Sequence, residues 1–405
     1  MVEDKFCNVN YLDENDKIVA SAMAFHLILM NCKNCLVSTS SFFFEFNTIL
    51  NIVCWLLIFG NYARIVFFKN VFNKVSSFTI IILCFLFSFC FVSQIINPDL
   101  FTSSEFPYNY VRDSFVSFLS YSVPCFIFSS ILQNPNSLLN AFYRGAWFLF
   151  VFSIFAFFLY VSNHSSSYEY SMSYANSVGF SIFVFLFLSY ERKKIRYIVA
   201  TLLLITCLII CGSRGPLISI AFLLFVFFFS LKSCLKVHLL RITTFFVGLF
   251  LVIQQSMITS LFIDLLDRFK IQSRTLRMLS TGVFNNDSGR SVYYDKVFEA
   301  LNDSPILGLG AFGGSAQVGL THNLYLDIWA NFGYFVGTAL IIFMLYSLIK
   351  MYRTAPNYSM LVLFFSLILF PRGFIGFDFW ASKEIWILFG LIVSYYSHNQ
   401  SYKRE

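Results

Sequence analysis

The chain has 405 residues, of which 58% are hydrophobic and 12% charged, with a formal net charge of +7 and a mean hydropathy of +0.71. Apolar runs long enough to cross roughly 30 Å of hydrocarbon recur along its whole length, which excludes a separate soluble domain. The positive balance needs no nucleic-acid partner, because membrane topology accounts for it.

Met1 is followed by Glu3 and Asp4, with no basic stretch and no small-residue cleavage site. No cleavable signal peptide is expected, and the first apolar segment itself directs insertion. Hydropathy places spans near 17–31, 43–61, 76–96, 114–132, 146–163, 175–190, 197–212, 216–231, 242–258, 325–349, 358–370 and 385–397. That makes an all-α, polytopic integral membrane protein of about twelve transmembrane helices on the length criterion. It forms a single membrane domain over 1–405. The first span is the weakest, since its apolar core is short and holds His26.

Lysine and arginine set the orientation. With both termini in the cytoplasm, Lys5, Lys17, Arg64, Lys69, Lys74, Arg144, the 192–196 cluster, Lys232, Lys236, Arg241, Lys350, Arg353, Lys403 and Arg404 all lie inside. The short outer loops then hold only Lys33, Arg112, Arg214, Arg372 and Lys383. The one large polar loop, 259–323, falls outside the cytoplasm.

The ten cysteines do not form a redox framework. Cys54, Cys84, Cys90, Cys125, Cys207 and Cys211 lie inside apolar spans, where cysteine behaves as a small hydrophobe. Cys32 and Cys35 form a lone CxxC without a second pair, so zinc is not expected. The pair would face out and could be oxidised, though an incidental spacing is the better reading. Gly333 and Gly337 give a GxxxG spacing in the tenth span, read as close helix packing.

Three constellations carry chemistry. Ser213-Arg214-Gly215-Pro216 makes a tight outer turn between two apolar runs, with Pro216 suited to a first helical position. A helix N-terminus and Arg214 would then face the outer mouth together, and an arginine at that depth is functional by default. The alternative is an arginine that snorkels to lipid phosphate. Within the loop, Ser288-Gly289-Arg290 precedes a short amphipathic helix near 291–302, with Tyr294, Phe298 and Leu301 on one face. That helix would lie on the outer membrane surface, with Arg290 at its start, where it helps to bind an anion or is merely solvated. Finally, Asn323 is a plausible N-cap of the tenth span, which puts His322 just before a helix N-terminus. The dipole there should lower the imidazole pKa and keep the ring neutral, as a general base requires. A lone histidine is also often structural.

Two decoys fall away. Gly308-Leu309-Gly310-Ala311-Phe312-Gly313 matches GxGxxG but has no βαβ context, so it reads as a flexible loop. The outer carboxylates Asp264, Asp267, Asp287, Asp295, Glu299 and Asp303 have no ligand spacing, so no metal site is expected.

Taken together, the arginine turn, the long outer loop with Ser-Gly-Arg, its glycine-rich stretch, and the His322-Asn323-Leu324-Tyr325-Leu326 helix start resemble the O-antigen polymerase and O-antigen ligase superfamily. The resemblance runs from about Ala175 to Gly337. It implies an all-helical glycosyltransferase of the bacterial inner membrane, independent of metal and of any cofactor. The donor would be a glycan on a polyprenyl diphosphate. Arg214, Arg290 and His322 match the family's essential residues. The resemblance also implies work beside other polysaccharide-assembly proteins, such as a chain-length regulator.

The physical reading agrees with that chemistry. A sugar–diphosphate bond releases a stable anion, so cations at the leaving group matter more than a general acid. Arginine suits the role because its fork matches phosphate oxygens. Arg268, Lys270, Arg274, Arg277 and Arg372 add charge on the outer side, and with Asn323 and Tyr325, beside the base candidate, they are expected to contact the diphosphate or the acceptor. Polymerase is preferred over ligase. A transporter of lipid-linked sugars is the alternative from another class, but neither mid-helix charges nor pseudo-symmetric halves are visible.

Overall fold

A computed structural model describes residues 14–69, 75–96, 110–163, 172–211, 290–319, 321–374, 376 and 378–401, with isolated positions between 216 and 268. Among these residues the chain is helical and has no strand. In chain order the helices are α1 (Glu14–Val37), α2 (Ser41–Glu45), α3 (Asn47–Lys69), α4 (Ser77–Ile96), α5 (Tyr110–Ile131), α6 (Asn136–Asn163), α7 (Met172–Arg192) and α8 (Ile195–Cys211). They continue as α9 (Arg290–Asp303), α10 (Gly313–Val318), α11 (Leu324–Thr354), α12 (Pro356–Gly373) and α13 (Lys383–Ser401).

Seven of the described helices are long and apolar enough to cross a membrane: α1, α3, α4, α5, α6, α7 and α11. The shorter α8, with α12 and α13, occupies positions where spans were expected. Of the expected span at 216–231 only residues 216, 219–222 and 225 are described, and the expected span at 242–258 lies outside the described residues. The least apolar of the seven spans are also the most enclosed. Of the most apolar windows, 78% of α7 and 67% of α1 is buried, against 22% in each of α3 and α4. A span that faces lipid must be apolar all round, whereas one packed among helices can carry polar groups. His26 illustrates the point. It lowers the hydropathy of α1, yet it is fully buried, with Nδ1 2.9 Å from the Tyr62 hydroxyl and Trp55, Tyr62 and Tyr121 around the ring.

The chain divides into two compact units. One comprises Met1–Leu27, Trp55–Arg144 and Arg290–Glu405. In it α13 packs along the second half of α5, and α11, α12 and α13 pack in succession. Its centre is aromatic: the fully buried Trp380 indole lies 4.7 Å from the Phe312 ring, 5.0 Å from Phe118 and 5.2 Å from Phe379. One π-helical turn, Phe118–Ser122, widens α5 here, and the Ser122 hydroxyl donates to the Trp380 carbonyl at 2.6 Å. The other unit comprises Ile28–Cys54 and Gly145–Gly289. There α7 packs on α8, and the Tyr174 hydroxyl donates to the Ser153 carbonyl at 3.2 Å. Cys32 and Cys35 are both buried with free thiols in the last turns of α1, and the Cys35 thiol reaches Ser153 and Ser177. They do not form an exposed pair.

The GxxxG reading of α11 needs correction. Gly333 has φ 75° and ψ 171°, so the helix breaks there and does not present a smooth packing groove. The break frees backbone groups, and the glycine-rich loop satisfies them. The Leu309 N–H donates to the Ala330 carbonyl at 2.7 Å, and the Tyr334 N–H donates to the Pro305 carbonyl at 2.9 Å. The loop is therefore docked, not flexible. Its other side is pinned by the Ser93 hydroxyl, which accepts from the Ala311 N–H at 2.9 Å. Irregular backbone so close to a membrane span is tolerated where protein buries it.

Candidate functional site

The site is built on the first turn of α11. Asn323 caps it as expected: its side-chain oxygen accepts from the N–H groups of Tyr325, at 3.0 Å, and Leu326, at 3.1 Å. To reach that cap the chain turns through His322 at φ 52°, a left-handed conformation that histidine adopts more readily than most residues. Thr321, just before it, is buried and donates to the Asn323 carbonyl at 3.3 Å. The histidine is thus fixed from both sides while its ring stays half-exposed.

Arg290 opens α9, whose buried Val297 and Leu301 pack on Leu326 and Ala330 of α11. This packing brings Arg290 to His322, 32 positions along the chain. The amphipathic helix was expected, but its buried face is Val297 and Leu301, whereas Phe298 is 39% exposed. The partner of that face is α11, a protein surface. Burial first, and then the charge of Arg290, hold the His322 imidazole below its ordinary value of 6.5. The direction agrees with the expectation from sequence, with burial as its largest cause.

Tyr325 and Asn323 were expected to touch substrate. Here Asn323 spends its oxygen on the cap. The Tyr325 ring lies 4.6 Å from Phe374, and its hydroxyl makes a long 3.4 Å bond to the Phe370 carbonyl. Tyr325 thereby ties the end of α12, and with it Arg372 in the last turn of that helix, to the same corner. The buried Glu384 supplies the carboxylate whose charge acts on Arg372. Arg268 is exposed, and it lies in the other unit from His322. Arg214, Lys270, Arg274 and Arg277 lie outside the described residues.

A layer of residues that sequence reading missed supports the corner. Asp327, one turn into α11, is 1% exposed, and its carboxylate accepts from the Phe379 N–H at 2.7 Å. Asn331 donates to the Asp327 carbonyl at 2.6 Å and accepts from the Trp380 indole N–H at 2.7 Å. Asp378 accepts from the hydroxyls of Ser114 and Ser315, at 2.9 and 3.2 Å, and from the Ala381 N–H at 2.9 Å. Asp327 is thus a strut that holds the Phe379 segment against α11. The signal that could have found it is a carboxylate inside an apolar run, which calls for a partner. Among the described residues no three His, Cys, Asp or Glu side chains group as metal ligands would.

Residues 199–342 match the family model described as O-antigen ligase. The match takes in α8, α9, α10 and the start of α11, including Arg290 and His322, and covers roughly the stretch that carried the motif resemblance. Over that stretch the chain is similar to the O-antigen polymerase and ligase superfamily. No curated protein matches the chain. Members of the superfamily act as glycosyltransferase-like enzymes in the membrane, and the seven apolar helices accord with a multi-pass member.

A direct consequence of the Arg290–His322 arrangement can be measured. Carbon-13 NMR of labelled histidine, assigned with His322→Gln, should give a His322 titration midpoint below 6.5 in the wild type. Arg290→Gln removes a charge that disfavours the imidazolium, so the midpoint should rise; Arg290→Lys should leave it almost unmoved. A midpoint that ignores Arg290→Gln would mean that the two side chains are not electrostatically linked.

Proposed function

We propose that the chain is a metal-independent glycosyltransferase at the periplasmic face of the bacterial inner membrane, with both termini cytoplasmic. It takes a glycan from a polyprenyl diphosphate and joins it to another lipid-linked repeat unit, as an O-antigen polymerase does. The observation that carries this reading is Arg290 beside a pKa-lowered His322 at a rigidly capped helix start. The acceptor hydroxyl attacks the anomeric carbon as the carbon–oxygen bond to the diphosphate breaks. Neutral His322 takes the hydroxyl proton, and the diphosphate leaves with the bonding electrons. Arg290 and Arg214 bind the developing anion, with Arg268, Lys270, Arg274, Arg277 and Arg372 as further cations around the carrier.

A second reading, transfer of finished polymer to lipid A–core, draws support from the description of the matching family as O-antigen ligase. Deleting the gene and resolving the lipopolysaccharide on a gel separates the two. Core carrying one repeat supports polymerase; bare core with accumulated carrier-linked polymer supports ligase; an unchanged ladder removes both.

The clamp role of Arg214 has its own test. Arg214→Ala should abolish polymer formation, and Arg214→Lys, which keeps charge but loses the fork, should still impair it severely. Near-normal lipopolysaccharide from inserted Arg214→Ala protein would make the arginine a lipid anchor.

A further inference from the structure

Away from this corner, within the unit that holds α1's first half, α3's second half bounds a groove of about 850 Å³. Its two walls run antiparallel and come from regular helix faces: Lys17, Ser21 and Phe25 on α1, and Leu57, Asn61 and Arg64 on α3. The charged residues gather at one end. Lys17 and Arg64 are exposed there, and Arg144 of α6 reaches in with a guanidinium nitrogen 3.5 Å from the Ser21 hydroxyl. Among the described residues, Glu14 is the only carboxylate on the lining. Asp16 is buried nearby, and its two oxygens accept from the N–H groups of Gln133 and Asn134, at 3.4 and 2.6 Å. The other end of the groove is apolar, with Phe25 and Leu57 40% and 51% exposed. Lys17 and Phe25 are eight residues apart, about 12 Å along a helix.

We infer that this groove binds an anionic phospholipid, with the phosphate headgroup on Lys17, Arg64 and Arg144 and an acyl chain against Phe25 and Leu57. Among the described residues, Lys17 and Arg64 on the lining, with Arg144 beside them, outnumber the lining carboxylate Glu14 and favour a negative headgroup, and a slot that turns from charged to apolar within about 12 Å matches the headgroup-to-chain transition of a lipid. Basic pockets between transmembrane helices recognise lipid headgroups in this way. In the orientation read from the lysine and arginine bias, the occupant belongs to the cytoplasmic leaflet. The groove is thus separate from the outward-facing transfer chemistry, and the inference does not depend on it.

The test uses the full-length protein in nanodiscs of equal phosphatidylglycerol and phosphatidylethanolamine, followed by transfer to detergent and mass spectrometry of the retained lipid. The wild type should retain phosphatidylglycerol preferentially. Lys17→Gln, Arg64→Gln and Arg144→Gln should each reduce that preference by about fivefold, the effect of one cation near a lipid surface. Leu57→Trp, which fills the apolar end and leaves every charge in place, should lower retention of either lipid while the protein stays monodisperse. Equal retention of both lipids by the wild type, or undiminished preference in the charge variants, overturns the inference. So does recovery of a polyprenyl phosphate from the wild type in place of a glycerophospholipid.

Discussion

Glycan transfer by the His322→Ala protein is expected to fall by about 10²–10⁴-fold, the contribution of a positioned general base. Insertion and expression should not change, because the helix start is held by Asn323 and Thr321 and not by the imidazole. The wild-type rate on a purified polyprenyl-diphosphate glycan should drop as pH falls through the His322 pKa. Since that pKa is lowered, the neutral base persists further into acid, and the acidic limb should lie below 6.5. Arg290→Gln should move the limb upward along with slowing the reaction. Turnover should survive EDTA. A fully active His322→Ala protein would place the base elsewhere, and turnover that chelation stops and Mg²⁺ restores would displace the arginine clamp.

The second large effect is expected at Gly333. Its φ 75° and ψ 171° fall in a region essentially reserved for glycine, and forcing another residue there costs about 1–3 kcal/mol. A Cβ at this position would also collide with the Ile306 carbonyl and with the Gly308 nitrogen, both backbone atoms that cannot swing aside. Gly333→Val should therefore push the docked loop off α11. The loop follows α9, which carries Arg290, so the clamp moves relative to His322. Displacements of about 1 Å at a reacting centre can cost on the order of 10²-fold. Limited proteolysis should show new cleavage between 304 and 312, with transfer reduced to that extent. Gly60→Ala in α3, where nothing lies within 4 Å of the added carbon, is the control and should behave as wild type. Gly333→Val protein with an intact loop and full activity would mean that the break in α11 is unimportant.

The positions of the described long helices were legible in the sequence because apolar length is set by bilayer thickness, and the Asn323 cap was legible because capping is local. The family resemblance was legible for the same reason, resting on short motifs in order. What sequence could not reveal was non-local. Nothing in Ser288-Gly289-Arg290 says that it meets His322, since that meeting is made by Val297 and Leu301 packing on Leu326 and Ala330. Gly333 was misread because a glycine pair four apart serves helix packing and helix breaking alike, and only the partner of the freed carbonyl tells them apart. The bracing roles of Asp327 and Asn331 were not legible, because the groups they brace come from the segment around Phe379 and Trp380.

That last pairing bears on the order in which the protein is made. As α11 leaves the ribosome, the Asp327 carboxylate and the Asn331 side-chain oxygen still lack two of the groups that satisfy them in the finished fold. The Phe379 amide and the Trp380 indole that satisfy them are translated about fifty residues later, after α12. The support beneath the histidine corner is therefore completed only when the Trp380 segment has been made. A chain stopped short of that segment would lack the Phe379 amide and the Trp380 indole that buttress the start of α11.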